Sequence, residues 1–204
     1  MYNKKCSIMK ISRHRMGSDG KGVSTLIGFA GCPLHCAYCL NDFCHDENAA
    51  WKQYNPQELM DQVRIDDFFF RMTGGGIVFG GGEPILHSEF ISAFIGIAPK
   101  EWDFRIETSL NCSSEHVNRL IPHIDQWIID VKDMNPEIYE RYTGISNQKV
   151  CENIKLICEN AARDKIVFRV PHIPGYNTES DVQKSVAALR ECGEIDVFQY
   201  RIDK

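Results

Sequence analysis

The stretch "GCPLHCAYCLNDFC" (31–44) holds four of the chain's nine cysteines: Cys32, Cys36, Cys39 and Cys44. The first three follow the spacing CxxxCxxC, and Gly31 and Pro33 favour the tight turns that let one short loop present three thiolates to one centre. Two chemistries compete for such a loop. Three thiolates suit three corners of a cubane iron–sulfur cluster. Zinc in a structural site takes four ligands, as paired CxxC or CxxC/HxxxH knuckles. The chain has no second CxxC, but Cys44, His35 or His45 could complete a zinc set, so spacing alone leaves both open.

The rest of the sequence bounds where such a centre would sit. With 204 residues, 43% hydrophobic and 25% charged, the chain reads as one α/β domain spanning 1–204. A domain of that length buries a full core unaided, so the cysteines are not needed as staples. A net charge of −5 without a long basic run gives nucleic acid no electrostatic footprint. The opening "MYNKKCSIMKISRHRMG" lacks the apolar core of a signal peptide, and no stretch approaches a transmembrane helix in length, so no membrane partner is expected. An odd cysteine count without a secretion signal points to a reducing cytoplasm. The dispersed Cys6, Cys112, Cys151, Cys158 and Cys192 read as free, small, buried hydrophobes. No cysteine lies between residues 45 and 75, where a second cluster would need its ligands. Histidines beyond the loop, including His172, read as packing or surface residues.

Elements that could position the loop alternate along the chain. β-rich runs at 24–30, 76–80, 103–108, 126–130, 165–170 and 196–200 are separated by helical patterns at 56–72, 87–97, 113–121, 136–142 with 148–162, and 178–192. Asn55 before Pro56, and Thr178 before Glu179, mark helix starts. Val150, Ile154, Ile157 and Ala161 share one helical face, and "RIDDFFFRM" reads as an aromatic core stripe. The alternation predicts parallel βαβ units, either an open doubly wound sheet or part of a (β/α) barrel. In both, ligands gather at the carboxyl ends of the strands. The cysteine loop, "GGEP" (81–84), Glu107 with Thr108, and Asp130 all fall there. Glycines in "GGGEP" suit a backbone that approaches a ligand closely, and "TGGG" (73–76) suits a helix-to-strand connection. Asp130 and Lys132 are two apart and face one side of an extended segment. Arg169 shares a strand face with Val167, and pointed inward it needs an anionic partner.

These segments resemble the radical S-adenosylmethionine superfamily. "CPLHCAYCLN" is similar to its cluster motif, with the aromatic Tyr38 before the last cysteine, and Gly81, Gly82, Glu83 and Pro84 match its "GGEP". Within the superfamily the chain most resembles the glycyl-radical-enzyme activating enzymes of the pyruvate formate-lyase activase type. "GSDGKGVSTLIGFAGCPLHCAYCLN", "TGGGIVFGGGEPILHSEF", "IETSLN", "IIDVKDMNPEIYERYTGISN" and "FRVPHIPGYN" are similar to that family's segments in the same order. The resemblance implies α/β architecture as a partial (β/α)6 TIM-type barrel with mostly parallel strands. It implies a [4Fe-4S] cluster on Cys32, Cys36 and Cys39, with S-adenosyl-L-methionine on the iron left without a protein ligand. On that account Cys44 is a nearby free thiol, because a fourth thiolate would close the vacancy. The resemblance further implies that Tyr38, Gly81, Gly82, Glu83, Asp130 and Lys132 hold the cofactor, with the Glu83 carboxylate and Gly82 at the methionyl amine and Arg169 a candidate for the carboxylate. It implies a monovalent cation near Glu107, Thr108 and Asp130, with Glu107 standing where the family has Asp. No side chain is expected to be catalytic itself, since the radical is borne by the cofactor. The expected partners are a glycyl-radical enzyme as protein substrate and reduced flavodoxin or ferredoxin as electron donor.

Three departures mark this sequence. Lys21 replaces a proline in "DGKG", Arg201 stands where the family has a cofactor-contacting histidine, and the chain ends at Lys204 without the family's further C-terminal segment. The last two suggest an alternative, a radical enzyme acting on a peptide or small molecule. A non-catalytic zinc or cluster-binding interaction domain is the alternative from another class.

Overall fold

The computed structural model describes residues 3–17, 19–46 and 48–200. Its strands are β1 (Cys6–Met16), β2 (Val23–Phe29), β3 (Lys52–Tyr54), β4 (Gly76–Gly81), β5 (Asp103–Thr108), β6 (Gln126–Asp130), β7 (Ile166–His172) and β8 (Glu194–Gln199). They form one sheet in the order β3-β1-β2-β4-β5-β6-β7-β8. Strands β2 and β4 to β8 run parallel, whereas β1 is antiparallel to both β2 and β3. The helices are α1 (Pro56–Val63), α2 (Asp67–Thr73), α3 (Ser88–Ile95), α4 (Ser114–Leu120), α5 (Pro136–Thr143), α6 (Gln148–Asn160) and α7 (Glu179–Leu189).

From β4 onward every strand lies beside the next one in sequence, with no reversal of strand order. A doubly wound sheet needs that reversal at its switch point, so the winding is that of a barrel. Right-handed crossovers without reversal place the connecting helices on one face. The barrel is partial, since β3 and β8 are edges. The period of two along each strand then sorts residues onto two sides. Ile27, Phe29, Ile77, Phe79, Ile106, Trp127, Ile129, Ile166 and Phe168 are wholly buried on the helix-facing side and form the core. The alternate positions, among them Gly80, Arg105, Glu107, Asp130, Arg169 and Asp196, face the concave interior. A Cβ at Gly80 would meet Leu26 and Glu107, and Arg169 reaches Glu107, Asp130 and Asp196.

Both expected helix starts carry capping boxes, Asn55 with Glu58 and Thr178 with Asp181, and Gly74 closes α2 in the left-handed region, as "TGGG" suggested. Three expectations change. The helix expected over 56–72 breaks into α1, a 3-10 turn at Arg64–Asp66, and α2. The break turns Asp66 inward, where its carboxylate accepts from Arg13 at 2.9 Å and Thr25 at 2.8 Å. As a result "RIDDFFFRM" is not a core stripe: Phe70 alone of its three phenylalanines is buried, while Ile65 is 75% exposed, Phe68 66% and Met72 70%. Strands β1 and β3 had no counterpart in the sequence reading. Of β1 only Cys6 and Ile8 are buried, so its apolar signal is weak.

The third change concerns Cys158 and Cys192, which are not free. They are joined in a disulfide that ties α6 to the turn before β8. The Lys21 departure also finds its reason. Arg105, buried on β5, donates to the carbonyls of Asp19 and Lys21, each at 2.6 Å, and a Cβ at Gly20 would come within 2.7 Å of the guanidinium. The contact uses the Lys21 carbonyl, which any residue type supplies.

The Cys158–Cys192 bridge closes a separation of 34 residues, for which loop entropy sets a ceiling of about 3–4 kcal/mol. Cys192→Ser is expected to lower the urea midpoint under oxidising conditions and to match the unsubstituted protein once both are reduced.

Candidate active site

A cavity of about 230 Å³ opens at the carboxyl ends of the strands. Cys32, Cys36 and Cys39 line it together with Gly81, Gly82, Glu83, Asp130, Lys132 and Arg169, so the structure brings nearly all the expected site residues to one place. Its wall also includes Asn41, Cys44, Ser109, Phe198 and Tyr200.

The cysteine loop is held by its backbone. Gly31 N–H donates to Cys44 C=O (2.9 Å), and the N–H groups of His35 and Ala37 donate to the carbonyls of Thr143 (2.9 Å) and Tyr142 (3.0 Å) at the end of α5. The Asn41 side-chain amide donates to Gly81 C=O at 3.0 Å, joining the loop to the end of β4. Burial pushes the Cys32 thiol up to about 12 and raises that of Cys36, the latter opposed by nearby Lys132. Any metal bound by these thiols has to displace protons. Cys44 is buried in the 3-10 turn Asp42–His45 and faces the same cavity, its thiol pushed up to about 11 chiefly by burial. His35 and His45 instead stack on each other, centroids 4.5 Å apart, outside the cavity wall.

The glycines of the "GGEP" turn line the cavity and also serve a contact within the backbone. Gly82 N–H donates to Phe29 C=O and Glu83 N–H to Gly31 C=O, both at 2.8 Å, and a Cβ at Gly82 would lie 2.2 Å from the Gly31 oxygen. This close approach is to the root of the cysteine loop, and the Gly82 N–H is engaged there.

Glu83 is 1% exposed, and its carboxylate accepts four hydrogen bonds. Thr108 Oγ1 donates to Oε1 at 2.6 Å with Ile85 N–H at 3.3 Å; Ser109 N–H and Oγ donate to Oε2 at 2.8 and 2.6 Å. Burial still raises its proton affinity in spite of these donors. Ser109 is aimed by its neighbour Leu110, a non-glycine residue at φ 59°, whose carbonyl and that of Cys112 accept from the buried Asn153 amide. Ser109 and Leu110 lie in the "IETSLN" segment without a role having been read for them, and Asn153 carried no signal.

The opposite wall is charged. Lys132 Nζ lies 3.5 Å from Asp130, as their spacing implied. Burial acts to lower the Lys132 proton affinity, but Asp130 and then Cys36 outweigh it and the net shift is upward. Arg169 does point inward, and the anions it finds are the protein's own: Glu107 at 3.7 Å, Asp196 at 3.8 Å and Asp130 at 3.9 Å. Burial, then Asp130 and Asp19, push the Glu107 carboxyl up to about 7, against the pull of Arg169 and Arg15. The three residues expected around a monovalent cation divide, since Thr108 turns its hydroxyl to Glu83 while Glu107 and Asp130 share Arg169.

Tyr38 stands behind the cavity wall, its ring against Tyr142, Tyr176 and Tyr200 and its hydroxyl donating to Pro174 C=O at 3.3 Å. Arg201 lies outside the described residues. Phe198 and Tyr200 went unnoticed in the sequence, although the period of two from Asp196 carries both to the cavity.

The donor set fits a cubane cluster. Three cysteines on one short loop share a cavity with a lysine beside them and a carboxylate opposite.

Comparisons agree with this geometry. The model of the Radical SAM superfamily matches residues 26–188. The (2S)-3-sulfopropanediol dehydratase activating enzyme of Klebsiella oxytoca is 34% identical over 222 residues, covering 79% of this chain and 69% of its own. The pyruvate formate-lyase 1-activating enzyme of Escherichia coli K12 is 31% identical over 189 residues, covering 89% and 74%. Two solved structures share the fold at low identity. A radical SAM methyltransferase from Sphaerobacter thermophilus has TM-score 0.63 at 16% identity, over 94% of this chain and 67% of that one. Streptococcus suis SuiB has TM-score 0.64 at 13% identity, over 84% and 38%.

The raised Glu107 carboxyl gives a pH signature with a defined sign. Its contribution to stability is fully present below the ordinary carboxylate range and is lost as pH rises through about 7. Glu107→Gln removes that loss. The melting temperature of the variant minus that of the parent is expected to grow more positive between about pH 5 and about pH 8. A flat difference would contradict the assignment.

Proposed function

The chain belongs to the radical SAM superfamily, and from that premise we propose that it is an activating enzyme that abstracts a hydrogen atom from a glycine of a partner glycyl-radical enzyme. The observation that carries this reading is the convergence of the cysteine loop, the Glu83 turn and the Asp130–Lys132 pair on one cavity. The relatives at 34% and 31% identity, whose names are those of activating enzymes, support it.

On this reading Cys32, Cys36 and Cys39 would hold a [4Fe-4S] cluster, which would supply the electron for reductive cleavage of bound S-adenosyl-L-methionine and so the radical chemistry of the hydrogen abstraction. The protein's own work is placement. Glu83, fixed by four donors and short of positive charge, is the seat for the methionyl ammonium, with the Gly81–Gly82 backbone beside it. Lys132 and Asp130 orient the cofactor from the opposite wall. Arg169 can exchange one of its long ion pairs for the cofactor carboxylate, since pairs of 3.7–3.9 Å on a side chain 32% exposed are each worth about 0–1 kcal/mol. Phe198 and Tyr200 cover the rim and keep water from the radical. The electron comes from reduced flavodoxin or ferredoxin, and the setting is the cytoplasm. Among the described residues no helix is long and apolar enough to cross a membrane.

Electron paramagnetic resonance tests the reading on the anaerobically loaded protein with reductant, S-adenosyl-L-methionine and the glycyl-radical enzyme encoded nearest to it. A stable glycyl-radical signal on the partner is expected. Cofactor cleavage without that signal would reassign the substrate to a peptide or small molecule, and a colourless zinc protein would end the radical reading.

Cys44→Ala provides a separate check on the ligand count. It is expected to keep the iron and sulfide content of the parent, whereas Cys36→Ala loses it. Equal losses would make Cys44 a ligand.

A further inference from the structure

The break that turns Asp66 inward also fixes what faces out. Val63, Asp66 and Phe70 are buried, so Ile65, Phe68, Phe69 and Met72, on the other side of the same segment, meet solvent. Their spacing of i, i+3, i+4 and i+7 is an apolar stripe of the kind a helix ordinarily lays against a core. Met16, 77% exposed, extends the stripe from the end of β1, where its pairing residue Val23 donates to Thr73 Oγ1 at 2.9 Å. The His14 ring meets Phe69 edge-on, centroids 4.8 Å apart, and bridges strand and helix. Taking roughly 200 Å² for each whole side chain, the five leave about 650 Å² of apolar surface uncovered. The largest apolar patch on a monomer is commonly about 300–600 Å². One side of a standard protein interface takes about 800 Å², which this patch and its polar rim can supply.

The rim carries both signs, with Arg64 and Arg71 beside the stripe and Asp67 and Glu101 paired to Arg71 at 2.9 and 3.0 Å. An anionic lipid surface calls for a run of one sign, whereas balanced charge suits a copy of the same face. Asp67 and Arg71 stand one helical turn apart on one flank. Antiparallel pairing about the midpoint of the stripe therefore sets Arg71 of each copy beside Asp67 of the other. Val23 and Thr73 mark the amino ends of the strands, so the stripe lies on the rim opposite the cavity and the pairing leaves the cavity open.

We propose that the face formed by Met16, Ile65, Phe68, Phe69 and Met72 joins two copies of this chain about a two-fold axis. The inference is independent of the cluster reading. Sedimentation of the full cluster-free chain under reducing conditions tests it, the reductant excluding dimers linked through free thiols. Between about 1 and 100 μM the parent should pass to twice the chain's mass, and its melting temperature should rise with concentration. Phe68→Asp places a charge at the centre of the interface but in solvent on the monomer. It should raise the dissociation constant at least tenfold and remove the concentration dependence of melting. Met72→Asp, at the end of the stripe, should weaken pairing in the same direction and carries the test if Phe68→Asp does not fold. A parent that stays monomeric throughout overturns the proposal, as does one that instead binds vesicles of anionic lipid through this face. Dimers that survive both substitutions unchanged overturn it too, since they must pair through another surface.

Discussion

A carboxylate taken out of water needs donors in place of solvent, and Glu83 is supplied with four. Those donors come from its own turn and from the end of β5, while the backbone of the same residue bonds to Gly31 at the root of the cysteine loop. One residue therefore couples β2, β4 and β5 at the rim where the thiols stand. Donors alone do not satisfy it, since burial still raises its affinity for a proton.

The same economy governs the concave face of the sheet. Its convex face carries the large apolar side chains, so the helices and core take up the hydrophobic driving force there. The interior is left to Arg105, Glu107, Asp130, Arg169 and Asp196, each paired with another. Near the amino ends these contacts are short and structural, as in the grip of Arg105 on the Asp19 and Lys21 carbonyls. Near the cavity they are long and partly exposed, as around Arg169. Rigidity at one end and exchangeable charge at the other fit a vessel that must hold its shape while accepting a ligand.

Much of this was legible in the sequence, because it depends on local pattern. The six parallel strands were found by apolar runs, two helix starts by their caps, and the rim by position at strand ends. The cysteine loop and "GGEP" were found because chemistry fixes their spacing. What stayed hidden depends on distant partners. Ser109 and Asn153 look like ordinary polar residues until Leu110 turns the backbone between them. The glycines were read as room for a ligand, and the sequence did not show that Gly82 also makes room for the Gly31 carbonyl. "FFF" was read as core because periodicity cannot show that Asp66 turns inward and breaks the helix. Cys158 and Cys192 lie far apart in sequence, and their meeting is a property of topology alone.

The strand order also bears on how the protein is made. Because β4 to β8 follow one another both in sequence and in space, each can add to the growing sheet as it leaves the ribosome. The thiols of Cys32, Cys36 and Cys39 thus emerge long before Asp130, Lys132 and Arg169 exist to face them. During that interval the loop is an open, soft-metal trap without walls. On the proposed cluster reading, iron and sulfide would have to arrive late, or the nascent loop be guarded until the far side of the barrel has been synthesised.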